Sequence, residues 1–147
     1  SIPTKKVNAI EFVDASNIFE KFGLVNELEN VENRKAWLKC GGYIAIDKTE
    51  ALTAIDVNSG KYTGSSNLEQ TALSVNIEAA IEIMKQLRLK DIGGIIIIDY
   101  IDLENKNDQA KVIETMKKEA LKDRSRIDIK GYTKLNLVEL TRKKLYV

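Results

Sequence analysis

The stretch that decides the fold reads Gly94-Ile95-Ile96-Ile97-Ile98-Asp99, four consecutive isoleucines between a glycine and an aspartate. A half-exposed strand would alternate apolar and polar side chains, whereas an unbroken apolar run is typical of a strand buried on both faces. We therefore predict that this segment is a strand at the centre of a sheet.

The sequence before this run predicts a long helix and a hairpin. Asn67 is a suitable N-cap, and apolar side chains recur at helical spacing from Leu68 for about 22 residues, until Gly93-Gly94 ends the pattern. Further upstream, residues 43–47 and 52–57 have the pattern of two strands joined by a short turn. This arrangement predicts an antiparallel hairpin.

The sequence after the run predicts a second helix over residues 107–122, a strand over 127–129, and either a strand or a short helix over 135–141. The apolar stripe of the second helix is predicted to contain Ala110, Ile113, Met116, Ala120 and Leu121. Together these elements predict the α/β fold class, with a mixed sheet and two main helices.

The composition excludes several kinds of active site. The chain has 147 residues, no histidine and one cysteine, Cys40, so His-dependent nucleophiles and zinc sites built from His or several Cys are excluded. Any catalysis must use carboxylates, amides, Lys, Arg and backbone groups, which suit a hard metal ion. No apolar run is long enough to cross a membrane, so we expect no transmembrane helix and a reducing, cytosolic setting.

Charge is distributed unevenly along the chain, although the formal net charge is only +1. Acidic residues outnumber basic ones in residues 1–110, and the reverse holds for residues 111–147. Such clustering indicates a polyanionic partner. A solvated helix followed by a soluble tail explains it equally well.

Carboxylates stand where predicted strands end. Asp56 and Asp99 each follow an apolar strand segment, and ligands collect at the carboxyl ends of strands in open α/β sheets. Asn58 shares a face with Asp56 because strand side chains repeat every two residues. These residues predict a hard-cation site that suits Mg²⁺. Alternatively, both aspartates are capping or turn residues, and Asp47 and Asp102 compete for the metal role on the same grounds.

Basic residues supply further candidate contacts. The loop Gly60-Lys61-Tyr62-Thr63 lacks the upstream glycine of a nucleotide-binding P-loop, yet Lys61 is compatible with phosphate contacts. Arg124 and Arg126 precede a predicted strand, where they either face a polyanion or belong to a solvated helix end.

We expect Trp37 and Cys40 to have structural roles. Residues 34–39 alternate in character and predict an edge strand, on which we expect Trp37 to lie in the core rather than act as a base-stacking platform. Cys40 is expected to be a small buried thiol without a catalytic role, since no base stands near it in the sequence.

Six stretches resemble the catalytic core of the ribonuclease E/G family. They are RKAWLKCGGY at 34–43, TEALTAIDVNSG at 49–60, NIEAA at 76–80, QLRLKDIGG at 86–94, IIDYID at 97–102 and DRSRI at 123–127. These motifs are long and in order, and the resemblance covers residues 17–145.

The resemblance implies a single-strand-specific endoribonuclease that hydrolyses phosphodiesters with Mg²⁺ and leaves a 5′-phosphate. In the family, the aspartates matching Asp56 and Asp99 hold the metal, and the amide matching Asn58 orients the attacking water or the scissile phosphate. The arginine matching Arg126 contacts RNA near the cut. With the candidates Arg124 and Lys61, it completes the predicted RNA-binding set.

The resemblance also divides the chain. Residues 1–32 resemble only the tail of the family's ribonuclease-H-like subdomain, and residues 33–147 resemble its deoxyribonuclease-I-like catalytic subdomain. The family's RNA-binding and 5′-monophosphate-sensing modules lie upstream of this chain, and its zinc-link lies downstream. We therefore expect an excised catalytic subdomain, weak by itself, from a cytoplasmic protein that forms a homo-oligomer at full length.

Two other functions remain open at this point. The chain could be a non-catalytic RNA-binding or assembly module of a larger ribonuclease, or it could be a metal-dependent deoxyribonuclease. Cleavage assays on matched RNA and DNA strands distinguish these functions from the first.

Overall fold

The structure is a computed structural model that describes residues 34–61 and 67–146. The elements in these residues are β1 Lys35–Trp37, β2 Tyr43–Lys48, β3 Thr53–Asn58, α1 Leu68–Leu89, β4 Gly94–Asp99, α2 Lys106–Ala120, β5 Ile127–Tyr132 and β6 Val138–Arg142. Residues Lys35–Val147 form one compact unit of the chain. The predicted segment 1–32 lies outside the described residues.

Six strands form one mixed sheet in the order β1-β2-β3-β4-β6-β5. β2 and β3 are antiparallel, as the hairpin prediction required, whereas β3 and β4 are parallel. Parallel neighbours need a long crossover, and α1 supplies it. The predicted fold class, an α/β fold with a mixed sheet and two helices, is confirmed for the described part of the chain.

The long helix α1 begins where the sequence predicts. The side chain of its N-cap Asn67 accepts hydrogen bonds from the backbone N–H groups of Glu69 and Gln70. Beyond the end of the helix, a Cβ at Gly93 would lie 2.7 Å from the Cβ of Lys144. A glycine is therefore needed where the carboxyl-terminal segment crosses the entry to β4.

One hydrophobic core lies between the sheet and the two helices, which pack on the same face. Ile96 and Ile98 of β4 are fully buried in this core, whereas Ile95 on the opposite face is 49% exposed. The prediction that the isoleucine run is buried on both faces is therefore wrong. The prediction of an interior strand is confirmed, because β4 pairs with both β3 and β6. We call the sheet surface opposite α1 and α2 the open face.

The predicted apolar stripe of the second helix is correct in part, since Met116 is buried and Ile113 and Ala120 pack against the core. The helix starts at Lys106 after the N-cap Asn105, and its buried side chains are Gln109, Val112 and Met116. Ala110 and Leu121 are exposed, since Leu121 lies past the last turn and Ala110 points away from α1 and the sheet. Contact with α1 decides which side of this helix faces the core, and the sequence of α2 alone does not specify that side.

Two remaining expectations concern the end of the chain and the membrane. Of the alternatives for residues 135–141, the strand is correct, since Val138–Arg142 forms β6. Among the described residues, no helix combines the length and the apolar character that a membrane crossing requires.

Candidate active site on the open face of the sheet

Asp56 and Asp99 are neighbours on adjacent strands. The register of the parallel pair β3–β4 places their Cα atoms opposite one another. Adjacent strands lie about 4.8 Å apart, and paired residues project from the same face, so both carboxylates leave the sheet together. Both residues are exposed on the open face. The structure thus brings together the two carboxylates that the sequence singled out separately.

Two straight rows of side chains cross the open face at this end of β3 and β4. The carboxylate row consists of Lys35, Ala45, Asp56 and Asp99, one residue from each of the strands β1 to β4. The aromatic row consists of Trp37, Tyr43 and Asn58, from β1 to β3. The rows are two residues apart along the strands, which corresponds to roughly 7 Å. A ligand held at the two aspartates is therefore within reach of both rows.

The electrostatics of the site favour a cation. The pKa of Asp56 is raised above its ordinary value, first by partial desolvation of its carboxyl group and then by the negative charges of Asp99 and Asp47. A hydrogen bond from the backbone N–H of Val57 opposes this shift. Two like charges held this close repel each other, and a cation bound between them would relieve the repulsion.

The side chain of Asn58 is held by the turn that follows β3. Its Oδ1 accepts a hydrogen bond from the backbone N–H of Gly60 at 2.8 Å. Gly60 has a φ of +60°, and a Cβ there would come within 2.6 Å of the carbonyl oxygen of Gly41. The turn therefore requires glycine. The bond to Oδ1 orients the side chain, and the amide NH₂ of Asn58 can then donate to a ligand.

The two competing carboxylates lie elsewhere. Asp47 pairs with Ala54, one row away from Asp56 along the open face. Asp102 follows β4 and lines a pocket of about 480 Å³ between the start of α1 and the segment after β4. Neither is paired in register with a second aspartate, so the geometry favours Asp99 as the partner of Asp56.

The donor set suits one kind of metal ion. Within residues 34–61 and 67–146, no group of three or more His, Cys, Asp or Glu side chains is placed to hold a metal. Asp56 and Asp99 provide a two-carboxylate site. Mg²⁺ usually binds through one or two carboxylates and keeps several waters, so the pair fits Mg²⁺ and does not fit an ion that needs a full protein cage.

The basic residues predicted to bind RNA lie at opposite ends of the sheet. Lys61 is exposed three residues after Asn58, at the same end as the two aspartates. Arg124 and Arg126 are exposed in the segment that precedes β5.

Arg126 lies on the same open face as Asp56 and Asp99, but at the other end of the sheet. The register of β5, β6 and β4 places the start of β5 level with Gly94, the first residue of β4. Five residues of strand and two strand spacings separate this level from Asp99, a distance of about 20 Å. Arg126 lines a shallow pocket of about 380 Å³ together with Asp128 and Thr141, which belong to the open face.

The sequence prediction for Trp37 is wrong. The residue lies on the edge strand β1 as expected, but it is 62% exposed and projects from the open face in the aromatic row. The inward positions on either side are taken by Ala36 and Leu38. Alternation along a strand then forces Trp37 outward.

Sequence reasoning also missed Asn76, a fully buried residue of α1. Its Nδ2 donates to the carbonyl oxygen of Ile101 at 2.8 Å, and its Oδ1 accepts from the N–H of Ile101 at 3.0 Å. These bonds hold the chain two residues after Asp99. The signal that could have found it is an amide within the apolar stripe of the helix, between Val75 and Ala79.

Comparison with known proteins gives one family. A family model described as "Ribonuclease E/G family" matches residues 1–145. Ribonuclease G of Escherichia coli (strain K12) is 41% identical to this chain over 143 residues, which cover 97% of the chain and 29% of the relative.

Other relatives agree. Ribonuclease E of a Nostoc species is 46% identical over 131 residues, which cover 89% of the chain and 19% of the relative. Ribonuclease G of Salmonella typhimurium is 44% identical over 127 residues, covering 86% of the chain and 26% of the relative. The chain thus spans less than a third of the length of these relatives.

Proposed function

Because this chain belongs to the ribonuclease E/G family, we propose that it is the catalytic part of an endoribonuclease that hydrolyses single-stranded RNA and leaves 5′-phosphate ends. The observation that carries the proposal is the in-register pair Asp56–Asp99 on an exposed sheet face. The names of the relatives, ribonuclease G and ribonuclease E, support RNA as the substrate. We further propose that this activity serves RNA processing and decay.

Asp56 and Asp99 would hold a Mg²⁺ ion. Their carboxylate donors and the raised pKa of Asp56 suit a small divalent cation. When bound, the ion would lower the pKa of a coordinated water and offset charge on the phosphate oxygens. An active site of this kind needs no histidine, which agrees with the composition of the chain.

The remaining roles fall to groups beside the aspartates. The NH₂ of Asn58, fixed by the Gly60 turn, can donate to a phosphate oxygen or orient the attacking water. The ammonium group of Lys61 can balance phosphate charge from the loop after β3. Preorganised donors of this kind stabilise charge that develops in the transition state.

The other expectations belong to the same proposal. They are the deoxyribonuclease-I-like assignment of residues 33–147, the cytoplasmic location and the homo-oligomer at full length. We expect the 147-residue chain to cleave slowly by itself, because contacts remote from the reacting atoms position the substrate and lower the barrier.

The test is cleavage of a 5′-labelled single-stranded RNA with Mg²⁺, and then with EDTA, by the chain and by the full-length protein in parallel. Asp56→Asn and Asp99→Asn should each reduce the Mg²⁺-dependent rate of the full-length protein by at least about 100-fold, since each removes one of two metal ligands. Asp128→Asn is the matched control, because Asp128 lies on the open face but is paired with Lys130 far from the site.

Four outcomes would overturn the proposal or part of it. Undiminished cleavage in both variants removes the site assignment, and a selective loss in Asp102→Asn would move the site to Asp102. RNA binding without Mg²⁺-dependent cleavage in the full-length protein favours the non-catalytic module. Faster cleavage of a DNA strand of the same sequence favours a deoxyribonuclease.

A further inference from the structure

The one tryptophan of the chain lies in an exposed cluster with a second ring and a cation. The ring centroids of Trp37 and Tyr43 are 5.0 Å apart with planes inclined at 56°. The Nζ of Lys35 lies 4.7 Å from the centroid of the Tyr43 ring. We call Lys35, Trp37 and Tyr43 the aromatic corner.

The exposure of the indole is a property of the strand register. Ala36 of β1 and Leu38, the residue directly after the strand, pack against the core. Turning Trp37 inward would require a one-residue slip that would expose both of them. The aromatic corner therefore keeps a large apolar surface in solvent. The contact between the two rings and the position of Lys35 over the Tyr43 ring offset part of the cost of this exposure.

The position of the aromatic corner connects it to the two aspartates. Trp37 and Tyr43 stand in the row that ends at Asn58, and Lys35 stands in the row that contains Asp56. Diagonal neighbours on a sheet are about 7–8 Å apart, which is the separation expected between Tyr43 and Asp56. Ala45 lies between Lys35 and Asp56 in that row. Its side chain is small and buried, so no large side chain separates the corner from the carboxylates there.

We propose that the aromatic corner is a stacking subsite for one base of a single-stranded RNA whose phosphate lies at the Asp56–Asp99 pair. This inference rests on the proposed function and adds a substrate contact to it. Aromatic faces bind bases of single strands with little sequence preference, and a nearby cation adds a cation–π and phosphate contribution.

The charge and size of the surface favour a nucleotide over a protein partner. Residues 34–39 contain three basic side chains and no acidic one, which matches a phosphate backbone. A stable protein interface buries about 800 Å² on each side, whereas the corner offers one indole and part of one phenol ring. A single base is of the right size for that surface.

The experiment uses Trp37 as a built-in probe, since the chain has no other tryptophan. The emission of the wild-type chain is titrated with a 12-nucleotide single-stranded RNA, and with the duplex of the same sequence, in EDTA so that no cleavage occurs. We expect saturable quenching by the single strand and much weaker quenching by the duplex, whose bases are already stacked.

Substitutions measure the contribution of the ring to affinity. Because the Trp37 variants contain no tryptophan, their affinity is measured by the anisotropy of a fluorescently labelled single strand. Trp37→Ala should weaken binding about 10-fold, while Trp37→Phe, which keeps an aromatic face, should retain most of the affinity. Leu135→Ala is the matched control, because Leu135 is also apolar and exposed but lies in the turn between β5 and β6. Circular dichroism checks that each variant is folded.

The outcomes separate this inference from the proposed function. Absence of binding, absence of quenching, or an unchanged affinity in Trp37→Ala overturns the stacking subsite. A blue-shifted emission that depends on protein concentration without RNA also overturns it, because a second copy would then cover the indole. Quenching that persists while Asp56→Asn leaves cleavage intact removes the proposed active site and leaves the subsite standing.

Discussion

At the scale of single residues, the amide of Asn76 holds the segment that follows Asp99. Both of its polar groups bond to the backbone of Ile101, and the side chain is fully buried in α1. This pair of bonds fixes how the chain leaves β4. The path of the chain just after Asp99 therefore depends on a buried residue of α1.

Asn76→Ala should lower the free energy of unfolding by about 2–4 kcal/mol, because each buried polar group left without a partner costs about 1–3 kcal/mol. Urea denaturation followed by circular dichroism measures the change. Ser74→Ala, at an exposed position of the same helix, should change stability by less than about 0.5 kcal/mol. Equal values for the two variants would show that Asn76 does not hold this segment.

At the scale of elements, the buried guanidinium of Arg142 joins the end of β6 to the segments that follow α1 and α2. Arg142 at the end of β6 donates from Nε and Nη2 to Asp123, which follows α2, and from Nη1 to Asp91, which follows α1. Asp91 also accepts hydrogen bonds from the backbone N–H groups of Leu145 and Tyr146 at 2.9 Å each. This cluster ties the carboxyl-terminal segment to both helices.

The cluster makes stability depend on pH. The hydrogen bond from Leu145, and then that from Arg142, lower the pKa of Asp91 to about 2. Burial raises the pKa of Asp123, but the hydrogen bonds from Arg142 and Ser125 outweigh it and lower the pKa overall. A carboxyl group with a depressed pKa in the folded state stabilises it above the ordinary pKa near 3.8, and this contribution is lost as pH falls towards 2.

We expect the melting temperature of the wild-type chain to fall steeply between about pH 4 and pH 2. Asp91→Asn should melt at a lower temperature at pH 6 and lose less on acidification, because its amide does not titrate. Asp128→Asn is the control, since its pair with Lys130 is exposed on both sides and such pairs contribute little. Superimposable pH profiles for the wild type and Asp91→Asn would contradict this account.

Elements were predictable where local signals decide them. The limits of α1 follow from Asn67 and the apolar spacing. The places of Asp56 and Asp99 near the carboxyl ends of β3 and β4 follow from the change from apolar to charged residues. The register that makes these aspartates neighbours was not predictable, because period-2 alternation fixes the face of a side chain but not its partner across the ladder. The outward position of Trp37 was missed for a related reason, since it depends on which face the helices cover.

At the scale of the whole molecule, exposed basic residues after position 110 lie on different surfaces. Those of α2 lie on the helical layer, on the far side of the core from the two aspartates, whereas Arg126 and Lys130 flank the open face near β5. These basic residues are clustered along the sequence, but the fold places them on separate surfaces. Only the second set can contact a strand of RNA that passes over Asp56 and Asp99.

This separation predicts a dependence on RNA length. Arg126 lies about 20 Å from Asp99, which corresponds to about six nucleotides of a stacked strand at roughly 3.4 Å each. Arg126→Ala should therefore weaken binding of a 12-nucleotide RNA in EDTA and reduce the slope of log affinity against log salt concentration by about 0.7, the value for one phosphate contact on a single strand. Binding of a 3-nucleotide RNA, measured by competition, should be unchanged.

Lys117→Ala is the matched control for this prediction, because it removes the same charge from an exposed position of α2 on the helical layer. If net charge alone governed affinity, the two variants would weaken binding equally and at every RNA length. If the open face is the path of the RNA, only Arg126→Ala has an effect, and only when the RNA is long enough to reach from the aspartates to β5. Equal losses for both variants would contradict a path across the open face, and loss of 3-nucleotide binding in Arg126→Ala would place Arg126 at the cut instead.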